Sequence, residues 1–243
     1  MIKIQKYMGE ISGTIKTNDL NSDEVSRHFT GIEPMDHYPT AIKPGNLSVI
    51  AGHYGVGKST LALDWALAFA KKESRAIAIF SSELLSSEIQ LRLMSAETQI
   101  DLIKMKYNSL SKEQLRSIDK AIQALADLSL YIEDSSAITL DDLYNECLML
   151  KSDTALGMVV IDNIQLMQNF QLDSEQMMLK LKSLAVELDI PVLVLYQIKR
   201  LECEHDGYLD PDIILNNRYL DYADTIYVIH EARKSKLSII KSI

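Results

Sequence analysis

Gly52-His53-Tyr54-Gly55-Val56-Gly57-Lys58-Ser59 is the stretch that decides the fold. It fits Gly-x-x-x-x-Gly-Lys-[Ser/Thr], the pattern of a loop that wraps the phosphates of a nucleotide. Residues 47–51 before it are apolar and partly β-branched, as in a buried parallel strand, and residues 61–68 after it have the pattern of a helix. Because strand, glycine-rich loop and helix are the order that such a loop requires, we predict a nucleotide-binding site here. The alternative is a glycine-rich turn before an ordinary helix.

The residue types of this loop suit phosphate binding. Glycines let the backbone N–H groups turn inward at φ angles that other residues resist, and the N-terminus of the following helix adds partial positive charge. Lys58 is expected to reach the β- and γ-phosphates, and Ser59 to give its hydroxyl to Mg²⁺. The predicted nucleotide-binding residues are Gly52, Gly55, Val56, Gly57, Lys58, Ser59 and Thr60.

The composition is that of a folded protein with a sizeable core. With 243 residues, of which 47% are hydrophobic, the chain suits one large α/β domain with an appendage. Residues 1–29 are polar and weakly periodic, and we expect an arm or short helix there, outside a domain that spans residues 30–243. The net charge of −9 argues against a protein that coats nucleic acid with a basic surface, although it is compatible with a locally basic channel.

The sequence shows no membrane or secretory signal. No apolar run approaches the roughly 20 residues that span a bilayer, and residues 1–6 lack the apolar region of a signal peptide. Cys147 and Cys203 form no metal-ligand spacing and fit a reducing compartment. We therefore expect a cytoplasmic protein with no membrane partner.

Strand and helix patterns alternate after the phosphate loop. Predicted strands lie at residues 76–80, 130–132, 158–161, 191–195, 225–229 and 237–240. Predicted helices begin near Ser87, Ser111 and Thr139, and a further helix spans residues 179–188. This alternation predicts an α/β fold with a mainly parallel central sheet, helices on both faces and a late β pair.

Asp162 follows the apolar strand at residues 158–161, at the carboxyl edge where ligands bind in open α/β sheets. We expect it to hold Mg²⁺ through water, the alternative being an aspartate that begins a turn. Many phosphate-loop ATPases carry a water-activating glutamate immediately after this aspartate, but here the next residue is Asn163. The catalytic base must therefore come from elsewhere.

Glu83 and Gln197 follow two other strands at the same edge. Glu83 is the best candidate for the base, since a carboxylate there can orient and deprotonate the attacking water; a helix-capping or solvent-facing role is the alternative. Gln197 could read the γ-phosphate through a hydrogen bond, unless it is a plain surface glutamine. Because the chain has no Asn-Lys-x-Asp stretch of the Ras-like GTPases, ATP is the expected nucleotide.

Several motifs, in order, resemble the RecA-like ATPase domain of the DnaB-type replicative helicases. The matching stretches are Thr30-Gly31-Ile32, Lys43-Pro44-Gly45-Asn46-Leu47, Phe80-Ser81-Ser82-Glu83-Leu84, Gln90-Leu91-Arg92-Leu93, Val160-Ile161-Asp162-Asn163-Ile164-Gln165-Leu166-Met167, Leu181-Lys182-Ser183-Leu184-Ala185, Gln197-Ile198 with Arg200, and Tyr222-Ala223-Asp224. They cover about residues 30–241, so the resemblance is far more specific than a lone phosphate loop.

The resemblance implies a RecA-like P-loop NTPase fold over residues 30–243. It also implies a ring of subunits, usually a hexamer, that hydrolyses ATP at subunit interfaces while moving along single-stranded DNA. By motif match the resemblance assigns Lys58 and Ser59 to phosphate and Mg²⁺, Asp162 to Mg²⁺, Glu83 to the catalytic base and Gln197 to γ-phosphate sensing.

The chain departs from the family pattern in three places. Only about 29 residues precede the match, where the family has a helical domain that binds primase, so we expect no primase contact of that kind. The DNA-facing loop after Met167 is expected to be shortened, and residues 168–176 contain no basic residue and no glycine, which weakens the expectation of DNA in a central channel. Lys241 matches a late lysine, but Ile243 stands where the family has its arginine finger. We expect either a longer natural protein or a paralogue with slow hydrolysis.

Three functions remain open at this point. The leading one is an ATP-hydrolysing domain of the replicative helicase class that acts on single-stranded DNA as a ring-forming homo-oligomer. The second is a nucleotide-dependent assembly or loading partner that associates with helicase-like subunits and unwinds nothing itself. The third is a small-molecule kinase, which is disfavoured because the chain has no arginine-rich lid segment.

Overall fold

The computed structural model describes residues 2–3, 42–107, 109–168, 170–198, 218–230 and 236–242. The strands are β1 Ile2–Lys3, β2 Leu47–Gly52, β3 Ala76–Ser81, β4 Leu130–Glu133, β5 Leu156–Asp162, β6 Val192–Gln197, β7 Thr225–His230 and β8 Lys236–Ser242. The helices are α1 Lys58–Glu73, α2 Ser86–Thr98, α3 Leu102–Lys106, α4 Lys112–Asp127, α5 Leu140–Asp153 and α6 Phe170–Leu188, with 3₁₀ turns at Ile164–Leu166 and Arg218–Tyr222.

The described strands form one sheet in the order β1-β4-β3-β5-β6-β2-β7-β8. From β4 to β7 in this order the strands are parallel, and β1 and β8 add an antiparallel strand at the two edges. In register, Gly52 pairs with Gln197 and Ser81 with Asp162, so four strands end together at one edge. The predicted mainly parallel sheet is confirmed, and β7 with β8 is the predicted late β pair.

Side chains alternate between the two faces of the sheet, and helices cover both. On one face Ile77 and Ile79 of β3 belong to a core that includes Trp65 of α1. On the other face Ala78 and Phe80 belong to a core that includes residues of α5 and α6. Since the central strands are buried on both faces, they are continuous apolar runs in the sequence.

The helices α4 and α5 begin where the sequence predicts. Ser111 is the N-cap of α4, and its hydroxyl and the Gln114 amide form a reciprocal capping box. Thr139 caps α5 in the same way with Asp142. Each box satisfies backbone N–H groups that the first helical turn leaves without intrahelical partners.

The predicted start of α2 at Ser87 is wrong by two residues, because the N-cap is Leu85. The helix begins at Ser86 after Leu85, which offers no side-chain cap. Instead the Ser86 N–H donates to Asp134 Oδ2 at 2.8 Å. The cap comes from a residue distant in sequence, which the local pattern could not indicate.

The helix predicted at residues 179–188 is much longer and begins at Phe170. Most of residues 168–176, expected to form a short DNA-facing loop, are therefore helical, which corrects that expectation. As with the other helices in the ranges described, α6 is not both long and apolar enough to cross a membrane.

The N-terminal residues contribute to the sheet where they are described. Ile2 and Lys3 pair antiparallel with Ile132 and Tyr131 of β4, so these two residues of the predicted arm form an edge strand. The other residues of 1–29 lie outside the described residues, as do Thr30-Gly31-Ile32, Cys203, Arg200 and Ile243. The predictions that concern them stay predictions.

A polar cluster ties the start of β2 to α6 and β7. Lys182 Nζ donates to both Asp224 carboxylate oxygens, at 2.8 and 2.7 Å, and to Gly45 O at 2.9 Å. The Leu47 N–H donates to Asp224 Oδ2 at 2.7 Å, and the Asp224 N–H donates to Leu47 O at 2.8 Å. Two residues of the matched motifs, Lys182 and Asp224, therefore have a structural role at the entry to the strand before the phosphate loop.

Replacing Lys182 by methionine should lower the free energy of unfolding by about 2 kcal/mol, because it leaves a partly buried carboxylate and the Gly45 carbonyl without their charged donor. Lys180→Met is the matched control, since Lys180 pairs with Asp141 on the exposed surface and should cost under about 0.5 kcal/mol. Urea unfolding at pH 7 measures both. Equal losses in the two variants would contradict a structural role for Lys182.

Asp64 of α1 should make stability depend on pH. Burial raises its pKa from 3.8 to about 6, so the folded state holds the proton more tightly than the unfolded state. Its contribution to stability therefore falls as the pH rises from about 4 to about 6 and stays constant above that. Asp64→Asn should stabilise the protein by at most about 3 kcal/mol at pH 7 and hardly at all near pH 4.

Urea unfolding of Asp64→Asn and of the parent at several pH values between about 4 and 7 measures the difference in their free energies of unfolding. Glu113→Gln, at an exposed position of α4, is the control for a carboxylate-to-amide change. A gap that is the same at both ends of the pH range would contradict the assignment to Asp64.

Candidate functional site

The predicted phosphate loop lies between β2 and α1 at the carboxyl edge of the sheet. Gly55 has φ +80° and Gly57, the N-cap of α1, has φ +97°, conformations that residues with a Cβ rarely adopt. Gly57, as the N-cap, has no side chain with which to cap α1. The N–H groups that start this helix therefore lie next to the loop without a cap from their own N-cap residue, an arrangement that suits an anion site.

Gly52 is required by close packing rather than by its φ angle. A Cβ at this position would lie 2.9 Å from Val56 Cγ2 and 3.1 Å from the Ile229 carbonyl oxygen of β7. The loop residue Val56 therefore packs closely on the end of β2, which itself lies close against β7. The first glycine of the pattern thus sets how closely the loop approaches the sheet.

Lys58 is buried at the centre of the site. Its Nζ donates to the His53 carbonyl at 2.8 Å, within the same loop. Burial lowers the pKa of Lys58, and the carboxylates of Glu83 and Asp162 oppose that shift. The structure therefore places one ammonium group close to the two carboxylates predicted from the sequence, Glu83 and Asp162.

Asp162, at the end of β5, is buried beside the phosphate loop. Burial raises its pKa and Glu83 adds to the rise, whereas a hydrogen bond from Ser59 and the charges of Lys58 and Arg92 oppose it. Within the described parts of the chain, Asp162 Oδ1 has no hydrogen-bond partner. The two predicted metal ligands, Ser59 and Asp162, thus meet, and one carboxylate oxygen remains available.

Glu83 lies in the turn after β3. The turn is shaped by the Ser82 N–H, which donates to Asp162 O at 2.7 Å, and by the Leu84 N–H, which donates to Ser81 Oγ at 2.9 Å. The Glu83 side chain is exposed, and its Oε2 accepts a hydrogen bond from Asn163 Nδ2 at 3.2 Å. Asn163 stands where many phosphate-loop ATPases have their catalytic glutamate. Here its side chain holds the carboxylate of the candidate base, Glu83.

Gln197 ends β6, next to the phosphate loop. Ile198 N–H donates to Gly52 O at 3.0 Å, and His53 Nδ1 lies 3.1 Å from Ile198 O. The end of β6 is thereby fixed to the loop that carries Lys58. All the predicted catalytic and metal residues lie at this one edge of the sheet.

The structure adds to the site three side chains to which the sequence pattern assigns no role. Arg92 Nη1 donates to the Thr60 hydroxyl at 3.3 Å, buried His53 contacts the end of β6, and Gln165 bonds to the backbone of Gln197. The sequence signal for Arg92 and Gln165 was their place in the matched motifs. Their partners lie 32 positions away in each case, so local patterns could not identify them.

Comparison with known proteins agrees with this geometry. A family model described as the DnaB-like helicase C-terminal domain matches residues 29–209. The replicative DNA helicase DnaB of Geobacillus stearothermophilus is 32% identical over 184 residues, which are 73% of this chain and 40% of that protein. The DnaB of Leifsonia xyli subsp. xyli is 36% identical over 177 residues, 70% of this chain and 39% of that protein. The resemblance predicted from the motifs is confirmed, and the chain spans about two-fifths of the length of these relatives.

Solved structures share the fold. A structure described as an ATPase domain superposes with a TM-score of 0.75 and 20% identity, covering 85% of this chain and 84% of the other. A DnaB-like replicative helicase, solved in a study of its interactions with primase, gives a TM-score of 0.72 and 19% identity, covering 97% and 68% of the two chains. The predicted RecA-like P-loop fold is thereby confirmed.

Replacing Gly52 by alanine should destabilise the protein by about 1–3 kcal/mol, because the added methyl group collides with Val56 and with the β7 backbone. Ser48→Ala is a matched control in the same strand. The Ser48 hydroxyl is buried without a hydrogen-bond partner in the described structure, so its removal should be neutral or stabilising. Thermal unfolding compares the two; a Gly52→Ala variant as stable as the parent would contradict the close approach.

Proposed function

Because the chain belongs to the family of DnaB-like helicase C-terminal domains, we propose that it binds ATP with Mg²⁺ and hydrolyses the ATP at the carboxyl edge of its sheet. The observation that carries the proposal is the position of Lys58, buried in the phosphate loop with Glu83 and Asp162 close enough to act on its pKa. An ammonium group, a metal-binding carboxylate and a base are the groups that phosphoryl transfer to water needs.

Phosphate binding would use the loop and Lys58. The ammonium group has three donors, and one of them is used by the His53 carbonyl. A nucleotide phosphate would accept from the others. Its negative charge would favour the charged form of Lys58 and so offset the burial that lowers the pKa of this residue.

The residues present fit Mg²⁺. The buried Asp162 Oδ1 has no partner among the described residues, and the Ser59 hydroxyl lies next to the same carboxylate. Proteins commonly hold Mg²⁺ through one or two carboxylates together with substrate phosphates and water, so Asp162 and Ser59 would hold it here. When bound, Mg²⁺ would neutralise charge on the phosphate oxygens.

Glu83 would act as general base. Its carboxylate is exposed at the site and is anchored on one oxygen by Asn163, which leaves the other oxygen to accept a proton from water. Gln197 would contact the γ-phosphate, since the end of β6 is fixed to Gly52 and His53 of the loop. Loss of the γ-phosphate would then change the conformation of the segment that follows β6.

The whole protein would act on single-stranded DNA as a ring-forming homo-oligomer, most simply a hexamer. Support comes from relatives whose names describe replicative DNA helicases. The rate of ATP hydrolysis per subunit should rise with protein concentration and with single-stranded DNA if sites are shared between subunits. A slow rate that changes with neither would contradict this proposal.

A second candidate is a nucleotide-dependent assembly or loading partner that binds helicase-like subunits and separates no strands. Two observations favour it: the net charge of −9, and the absence of basic residues from 168–176, most of which form the start of α6. Strand separation on a forked DNA by this chain alone with ATP would rule it out.

Two substitutions separate nucleotide binding from hydrolysis. Lys58→Ala should remove both binding and hydrolysis, because it deletes the ammonium group that donates hydrogen bonds to the phosphates. Glu83→Gln should keep ATP affinity within about threefold and lower the hydrolysis rate by about 10²–10⁴, because an amide cannot accept the proton of water. Glu113→Gln, at an exposed position of α4, is the control. Equilibrium binding of a fluorescent ATP and phosphate release measure these effects; a Lys58→Ala variant that binds and hydrolyses like the parent would overturn the proposed function.

A further inference from the structure

At the end of β6, the side chain of Gln165 makes the backbone hydrogen bonds that the neighbouring strand β5 makes further back along β6. The pairing of β5 with β6 runs to Ile161 and Val194; β5 ends one residue later, at Asp162, and the chain then forms the 3₁₀ turn Ile164–Leu166. Gln165 Nε2 then donates to Gln197 O at 2.6 Å, and the Gln197 N–H donates to Gln165 Oε1 at 2.7 Å. Both backbone polar groups of Gln197 on this side are therefore satisfied by one amide.

On its other side the end of β6 is held by the phosphate loop. Gln197 pairs with Gly52 in register, and the Ile198 N–H donates to Gly52 O at 3.0 Å. The backbone of Gln197 is thus clamped between the loop that carries Lys58 and the side chain of Gln165. This clamp determines where the Gln197 side chain projects from the sheet edge.

Gln165 is also connected, through its backbone N–H, to the candidate base. The Gln165 N–H donates to Asn163 Oδ1 at 2.9 Å, and Asn163 Nδ2 donates to Glu83 Oε2 at 3.2 Å. These contacts also fix both amide orientations, because each oxygen faces a donor and each NH₂ group faces an acceptor. Two amides therefore link Glu83 to Gln197 without using Asp162.

We propose that Gln165 is a positioning residue that holds Gln197 in place for γ-phosphate recognition, and so sets how well the site distinguishes ATP from ADP. The inference rests on the proposed ATP site. It predicts a specific pattern: contacts to the α- and β-phosphates depend on the loop and not on Gln165, whereas recognition of the γ-phosphate depends on it.

The test compares Gln165→Ala with the parent in two measurements. The dissociation constants of ADP and of a non-hydrolysable ATP analogue are measured by titration calorimetry, and kcat and KM for ATP by phosphate release. Loss of two hydrogen bonds at a part-buried backbone should weaken the analogue and lower kcat by about five- to tenfold, while ADP affinity stays within about twofold. Unchanged ADP affinity also shows that the variant is folded.

Two further variants sharpen the test. Gln165→Glu keeps the shape but places a carboxylate oxygen against the Gln197 carbonyl, so it should lose discrimination as Gln165→Ala does. Gln123→Ala, at an exposed position of α4, removes an amide far from the site and should behave as the parent. If Gln165 acts through Gln197, adding Gln165→Ala to Gln197→Ala should produce no further loss of discrimination.

The outcomes separate this inference from the proposed function. An analogue-to-ADP affinity ratio equal to the parent's in Gln165→Ala, or equal losses for both nucleotides, would overturn the positioning role and leave the ATP site standing. Additive effects in the double variant would overturn it as well. A parent protein that binds neither nucleotide would overturn the proposed function itself, and the inference with it.

Discussion

The buried ammonium group of Lys58 is the constraint on which the site depends. Removing a charge from water is costly unless opposite charges compensate, and here burial lowers the pKa of Lys58 while Glu83 and Asp162 oppose the shift. Asp162 depends on the same balance, since burial raises its pKa and Ser59 and Lys58 act against that rise. The groups are therefore coupled, and replacing any one of them changes the electrostatics of the others.

The parallel sheet brings these charges together and also explains the polar residues around them. Where parallel strands end, backbone groups lose their strand partners and must find others. The Ser82 N–H finds Asp162 O, the Ile198 N–H finds Gly52 O, and both groups of Gln197 find the Gln165 side chain. The hydrogen bonds that complete the sheet edge thus also fix the residues proposed to contact the nucleotide.

Features set by neighbouring residues could be predicted from the sequence, and features set across strands could not. The capping boxes at Ser111 and Thr139 close within one turn, and the central strands are continuous apolar runs. The start of α2 depends on Asp134, 48 residues away, so the local pattern predicts it at the wrong residue. The same is true of the site. Asp162 and Glu83 could be predicted as site residues because each lies at or just after the end of an apolar strand, whereas the role of Gln165 depends on a contact with another strand.

Asp162 Oδ1, which has no partner among the residues that the structure describes, argues that this edge is more than a scaffold. A buried carboxylate oxygen without a donor destabilises the folded state, more than an unpartnered hydroxyl does. Lys182 and Asp224 differ from this site, because that pair satisfies its charges within the fold. If the phosphate-loop edge served only to hold the sheet together, a protein donor to Asp162 Oδ1 would make the fold more stable. An acceptor kept free beside Ser59 and Lys58 is explained if a cation and phosphates complete it, which both candidate functions require and a purely structural paralogue does not.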